Sequence, residues 1–174
     1  MSLFSKLRDR YNRHRLIPAA VQELHDQVTK YLPNDARILE AGAHMGYDTV
    51  GISKMWPKGK VYAFEPVPSM FAGLQTRTSA LRNVFSYQLA LGENPGSVDM
   101  YVSDGQSTGS SSILKPSKHL ELYPGVTFER KVTVQMKTLK DWATEERIDR
   151  IDLMWLDMQG YEVNALKGAA EMLS

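Results

Sequence analysis

Short apolar runs bounded by turn residues recur along this chain, and segments of helical period separate them. Pro18 can open a helix, with Val21, Leu24, Val28 and Leu32 at helical spacing up to Pro33. Asn34-Asp35 is a turn, and Arg37 to Ala41 reads as a strand. Tyr47 to Met55 reads as a helix, stopped by Trp56-Pro57-Lys58-Gly59, and Lys60 to Glu65 as a second strand. Pro66 and Pro68 bracket a bend, and Ser69 is the expected cap of a helix running to about Leu81. Asn83 to Leu91 reads as a third strand, Asn94-Pro95-Gly96 as a turn, and Ser97 to Val102 as an alternating strand. Phe128 to Met136 alternates again, and Leu139 to Glu146 is a short helix. Ile151 to Asp157 has the continuous apolar character of a buried strand. Tyr161 to Leu173 closes the pattern as a helix with Val163, Leu166 and Ala170 on one face.

Strands alternating with helices through short turns predict an α/β fold, a doubly wound, Rossmann-like, mostly parallel sheet covered on both faces. Residues 84 to 136 interrupt it with an expected antiparallel hairpin. Residues 1–33 read as an N-terminal helical segment and 34–174 as one ligand-binding domain. Within that domain residues 103–127, small and polar from Ser103 to Ser112, read as a mobile loop. Ser107 to Ser112 could act there as a lid, offering hydroxyls and N–H groups to a polar substrate.

The stretch Ile38-Leu39-Glu40-Ala41-Gly42-Ala43-His44-Met45-Gly46 carries the first chemical signal. Strand, glycine turn, helix and strand ending in the acid Glu65 is the plan of a nucleotide-binding βαβ unit, where the second acid accepts from two ribose hydroxyls. A dinucleotide fingerprint has the spacing G-x-G-x-x-G, whereas here it is E-x-G-x-x-x-G. Facing a pyrophosphate, Glu40 would be repulsive. The spacing suits a ligand with ribose and adenine but no pyrophosphate, such as S-adenosylmethionine.

Net charge is +1, so there is no global electrostatic case for nucleic acid. The chain has no cysteine, which excludes thiolate metal sites and a thiol nucleophile. No run is long enough to cross a membrane and no secretory apolar core stands at the N-terminus, so a cytoplasmic protein is the default expectation. Lys6, Arg8, Arg10, Arg13 and Arg15 interleave with Leu3, Phe4, Leu7 and Tyr11. That pattern allows membrane association, although a helix packed on its own domain with a solvated basic face accounts for it as well.

The segments Ile38–Gly46 (ILEAGAHMG), Val61–Pro66 (VYAFEP), Leu156–Glu162 (LDMQGYE) and Leu166–Ala169 (LKGA) resemble, in order and spacing, the FkbM-type family of S-adenosylmethionine-dependent methyltransferases. The first two motifs are shared with many class I methyltransferases, and the third followed by LKGA is more specific. The resemblance implies a Rossmann-like fold of that class and methyl transfer, mostly to hydroxyls of small molecules, sugars and polyketides. It implies cofactor contacts at Glu40, Gly42, Ala43, Gly46 and Glu65, and His44 in the turn and Pro66 after the second strand join that set. Two features depart from the family. Gln159 stands where it usually has an acid, and its domain normally continues with further strands after the last helix. The chain therefore reads as lacking the last C-terminal strands, as a piece of a longer protein would.

Methyl transfer from a sulfonium is an in-line displacement in which alignment is the main task and a general base helps an aliphatic hydroxyl. Asp157, at the carboxyl end of a central strand, is the first candidate for base or substrate anchor. Glu162 and His44 are the other catalytic candidates, although a carboxylate in a first helical turn is favourable for the macrodipole alone. No metal is expected, because Asp157 and Glu162 are a lone close pair and hard cations want more oxygens. The expected partner is a small-molecule or sugar acceptor, with oligomeric state open. Two rival readings are a binding or scaffold protein that kept the fold without the reaction, and an NAD-dependent oxidoreductase.

Overall fold

The computed structural model describes residues 27, 28, 30–105, 107–116 and 125–173. The basic N-terminal pattern, most of the Pro18–Leu32 helix, His14, His25 and His119 lie outside the described residues. Strands β1 (Arg37–Ala41), β2 (Lys60–Phe64), β3 (Val84–Tyr87) and β7 (Leu153–Leu156) form a parallel sheet in the order β3-β2-β1-β7. Three further strands, β4 (Ala90–Leu91), β5 (Gly96–Gly105) and β6 (Val126–Lys137), form a second sheet in the order β4-β6-β5. The helices are α1 (Tyr47–Met55), α2 (Pro68–Thr78), α3 (Leu139–Glu145) and α4 (Glu162–Lys167).

Both faces of the parallel sheet are covered, as its mostly apolar strands require. On one face Leu39, Ala41, Tyr62 and Phe64 pack against Leu139, Trp142 and Ala143 of α3 and Ala165 of α4. Trp142 anchors this side, its ring lying 4.9–5.3 Å from those of Phe64, Tyr62 and Tyr87 in edge-on arrangements. On the other face Ile38 and Val61 meet Ile52 of α1, while Ala63 meets Leu74 of α2. Helix α3 is capped as its residues dictate, with the Thr138 hydroxyl accepting from the Asp141 N–H at 2.9 Å. The second helix is capped differently from expectation. Val67 is its N-cap and Pro68 its first residue, so Ser69 lies inside.

The expected Asn83–Leu91 strand is two strands in two sheets. The Tyr87 carbonyl takes the Glu65 N–H at 3.1 Å, and there the ladder with β2 ends. Pro66 has no N–H, and the Val67 N–H is turned onto Glu65 Oε1 at 2.8 Å. Ala90 and Leu91 pair instead with Met136 and Lys137 of β6. The antiparallel hairpin is β5 with β6, longer than the alternation indicates at both its inner ends. Residues 103–105 and 126–127, read as loop, are strand.

The C-terminal part departs most from its apolar pattern. Strand β7, read as buried, stands at the edge of the sheet among the described residues, with every residue half-buried. The long helix stops at Lys167 and resumes as a 3₁₀ turn at Ala170–Met172. Its expected apolar face is turned outward, Val163 being 64% and Leu166 37% exposed. The buried residues are Ala165 and Ala169, because here small side chains are needed. A Cβ on Gly168 would lie 2.1 Å from the Gly92 carbonyl oxygen. The Gly168 carbonyl accepts from the Lys140 N–H at 3.3 Å, and Lys167 reaches Glu93 at 3.3 Å. The LKGA segment thus fastens the last helix to the start of α3 and to the turn after β4. No helix among the described residues is long and apolar enough to cross a membrane.

Replacing Gly168 by alanine drives a methyl into a backbone carbonyl, so Gly168→Ala is expected to cost about 1–3 kcal/mol of stability in chemical denaturation.

Candidate functional site

Strand order reverses beside β1, which pairs with β2 on one side and β7 on the other. A crevice at the carboxyl ends of such strands is where an open α/β sheet binds ligands. Gly42 makes the crevice tight. Its φ is 91°, and a Cβ on it would lie 1.9 Å from the Asp157 carbonyl oxygen. Its N–H and that of Ala43 both donate to the Phe64 carbonyl at 3.0 Å, while the Asp157 N–H donates to the Ala41 carbonyl at 2.9 Å. The three strand ends are thereby locked to one another.

The turn after Gly42 puts His44 in the left-handed region with φ 50°. This aims the His44 N–H at Glu65 Oε2, 2.8 Å away, while Oε1 takes the Val67 N–H. Burial pushes the Glu65 carboxyl up to about 7, against the pull of those two donors. A carboxylate has about four acceptor positions, so each oxygen keeps one for a ligand hydroxyl.

The pocket is lined by Gly42, His44, Glu65, Pro66 and Asp157 among the expected residues. Phe64, Met70, Leu89, Leu91, Met100 and Ile113 form apolar walls, with Thr108, Ser111, Gln159 and Tyr161 as further polar lining. Four expected residues stand elsewhere. Glu40 lies behind the turn, 2% exposed, beside buried Thr49 of α1. Ala43 packs with Ala63 and Leu74 in the core, and Gly46 starts α1 with φ 79°. Glu162 takes the Met158 and Gly160 N–H groups on Oε1 at 2.8 and 3.2 Å. These donors, with its own N–H, outweigh partial burial and hold Glu162 below the usual carboxylate range.

Asp157 stands at the exposed mouth of the pocket. Loss of water around its carboxyl and the charge of Glu162 push it up, while Gln159 and His44 oppose the shift. His44 is held neutral by burial and by Arg77, and its Nε2 shares a hydrogen bond of 3.0 Å with the Thr108 hydroxyl. The serine-rich segment is a built turn over the pocket. The Ser103 hydroxyl accepts from the Ser110 N–H, and Ser111 Oγ from the Ser103 N–H, both at 3.0 Å. Ser112 pairs with Tyr101 through both backbone groups. The walls at Leu91, Met100 and Ile113 escape the sequence reading because they come from β4, β5 and the 107–113 turn, whose docking on the sheet no local pattern encodes.

The family model described as Methyltransferase FkbM domain matches residues 40–174, and the chain belongs to that family. Three methyltransferases are similar to it. The 2-O-methyltransferase NoeI of Sinorhizobium fredii is 29% identical over 163 residues, covering 90% of this chain and 67% of the relative. Methyltransferase sdnD of Sordaria araneosa is 27% identical over 80% of this chain and 62% of its own length. Methyltransferase 1 of Beauveria bassiana is 28% identical over 78% and 59%. The chain thus spans two-thirds or less of these relatives.

The buried Glu40 makes stability depend on pH. Burial, aided by the charges of Asp48, Asp157 and Glu65 and opposed by Thr49, pushes its carboxyl from 4.5 up to about 8. In the fold it keeps its proton to about 8, and in the unfolded chain it loses it near 4.5. Its contribution is complete below the lower value and is lost as pH rises through the upper one, at up to about 1.4 kcal/mol per pH unit. Denaturation between pH 5 and 8 is expected to show wild-type stability falling, and Glu40→Gln falling less steeply. Gly42→Ala is expected to lose at least about 2 kcal/mol, from clash and left-handed strain together, in the same assay.

Proposed function

We propose that this chain is the cofactor-binding part of an S-adenosylmethionine-dependent methyltransferase that methylates a hydroxyl of a small molecule or sugar. The observation that carries the reading is the Glu65 carboxylate, fixed by the two loops it joins and lining the switch-point pocket opposite apolar walls. Vicinal ribose hydroxyls suit its remaining acceptor positions, and Met70, Leu89 and Leu91 suit the flat face of an adenine. Gly42 lets the ends of β1 and β7 close on each other at the floor of the pocket, the Asp157 carbonyl oxygen taking the place of a Cβ. The residues present therefore fit this cofactor, with Gly42, Glu65 and Pro66 as its holders. When bound, it supplies an electrophilic methyl group on a sulfonium that leaves as a neutral thioether.

The chain's own task is to hold the acceptor oxygen in line and take its proton. Asp157 is the group placed for that, since its raised carboxyl is a stronger base than an ordinary aspartate. The carboxylate would take the proton of an acceptor hydroxyl held beside it. Neutral His44 is a second acceptor of the same proton if Thr108 yields its Nε2. Glu162 acts one step away, by holding the loop that carries Asp157. Direction toward oxygen draws support from NoeI, whose name is that of a 2-O-methyltransferase.

Calorimetric titration with S-adenosylhomocysteine is expected to show one site, weakened at least about tenfold in Glu65→Ala, a loss of ~1.4 kcal/mol. Transfer of labelled methyl to a panel of neutral hydroxyl compounds is expected in parallel. Binding of NAD in place of S-adenosylhomocysteine would overturn the proposal.

A further inference from the structure

Gln159, two residues beyond Asp157 in the turn that leaves β7, donates from its Nε2 to Asp157 Oδ1 at 2.7 Å. A side chain that reaches back along its own loop needs an unusual backbone. Gln159 has φ 55°, in the left-handed region that residues with a Cβ rarely adopt. The surroundings hold it there from both sides. Below, Glu162 Oε1 accepts from the N–H groups of Met158 and Gly160, which flank Gln159. Above, the Ser112 hydroxyl donates to the Gln159 carbonyl at 3.2 Å. Gly160, with φ 96°, completes the turn, and Gln159 itself lines the pocket. A strained residue held by hydrogen bonds on both sides marks a place where geometry is specified.

We infer that Gln159 is the positioning residue for Asp157, fixing one carboxylate oxygen with an amide donor and tying that carboxylate to the serine turn over the pocket. The use of Asp157 as a base rests on the methyltransferase reading, whereas the contact and its effect on Asp157 do not. Chemistry explains why an amide serves here. Asp157 faces Glu162 from α4, Asp48 from α1, Glu40 from β1 and His44 from the turn after β1. Among these Glu162 favours a protonated Asp157, which could not take the proton of a substrate hydroxyl. An amide N–H favours the ionised form and cannot itself take the proton. A carboxylate at position 159 would add a further like charge.

The test is the carboxyl carbon resonance of Asp157 in the full chain, assigned by its loss in Asp157→Asn and followed against pH. Gln159→Met keeps the length of the side chain and removes the donor. It is expected to raise the Asp157 midpoint by about one pH unit. Gln159→Glu is expected to raise it further and to split it into two coupled steps. Gln159→Asn accepts the same left-handed backbone but is too short to reach, and serves if the methionine variant does not fold; its midpoint is expected to rise likewise. With a hydroxyl compound that is methylated, the acid limb of the pH–rate profile moves by the same amount. An Asp157 midpoint unchanged in the folded Met or Asn variant overturns the inference. Failure of wild type to bind S-adenosylhomocysteine would instead count against the methyltransferase reading, and the Asp157 midpoint would still decide the role of Gln159.

Discussion

The backbone of β1 and the loop after β7 come together at Gly42 with no space for a side chain between them. The Asp157 carbonyl oxygen sits where a Cβ would have to be, and the Phe64 carbonyl gathers the N–H groups of both Gly42 and Ala43. Three strand ends are thereby referenced to one another through backbone atoms, the stiffest parts of the chain. Glu65 follows Phe64 directly, and Asp157 follows the end of β7. Their separation is set by strand pairing, which varies far less than side-chain packing. The contact therefore fixes the positions of both carboxylates at the pocket.

Around that contact the molecule manages several acidic groups in a small volume. Glu40 and Glu65 are buried, and burial makes the neutral carboxyl the cheaper form. Glu65 is given two backbone donors, whereas one oxygen of Glu40, like Asp48 Oδ1, has no protein partner. This uneven treatment separates roles among similar residues. The carboxylate served by donors lines the pocket, and the one deprived of them lies behind the turn.

The β1–α1–β2 unit is legible in the sequence because its signals are local. Glycine spacing, the Trp56-Pro57 stop and two apolar runs give the right elements at nearly the right residues. Gly42, His44, Glu65, Pro66 and Asp157, expected from the glycine turn, the strand ends and the family motifs, all line the pocket. What is not legible depends on residues far away. The Asn83–Leu91 run divides because Val67 in another element spends its N–H on Glu65. The last helix turns its larger apolar residues outward because Gly92, distant in sequence, presses on Gly168. Among the described residues of the stretch that composition reads as a mobile loop, the hydroxyls of Ser103, Thr108, Ser111 and Ser112 make hydrogen bonds. Serine and threonine side chains fit a fixed turn as well as a loose one, so composition does not distinguish the two.

The division of residues 84–91 between two sheets reaches beyond topology. Strand β4 hydrogen-bonds to the second sheet, yet Ala90 and Leu91 also form a wall of the pocket beside Phe64 of the first. The cleft is therefore the seam between two sheets, bridged by the His44–Thr108 and Ser112–Gln159 hydrogen bonds. A molecule filling it would touch both sheets at once and act as mortar between them. At a hundredfold excess over its dissociation constant such an occupant adds about 2.7 kcal/mol to the folded state. A molecule bound across that seam would thus lengthen the life of the folded chain as well as occupy its pocket.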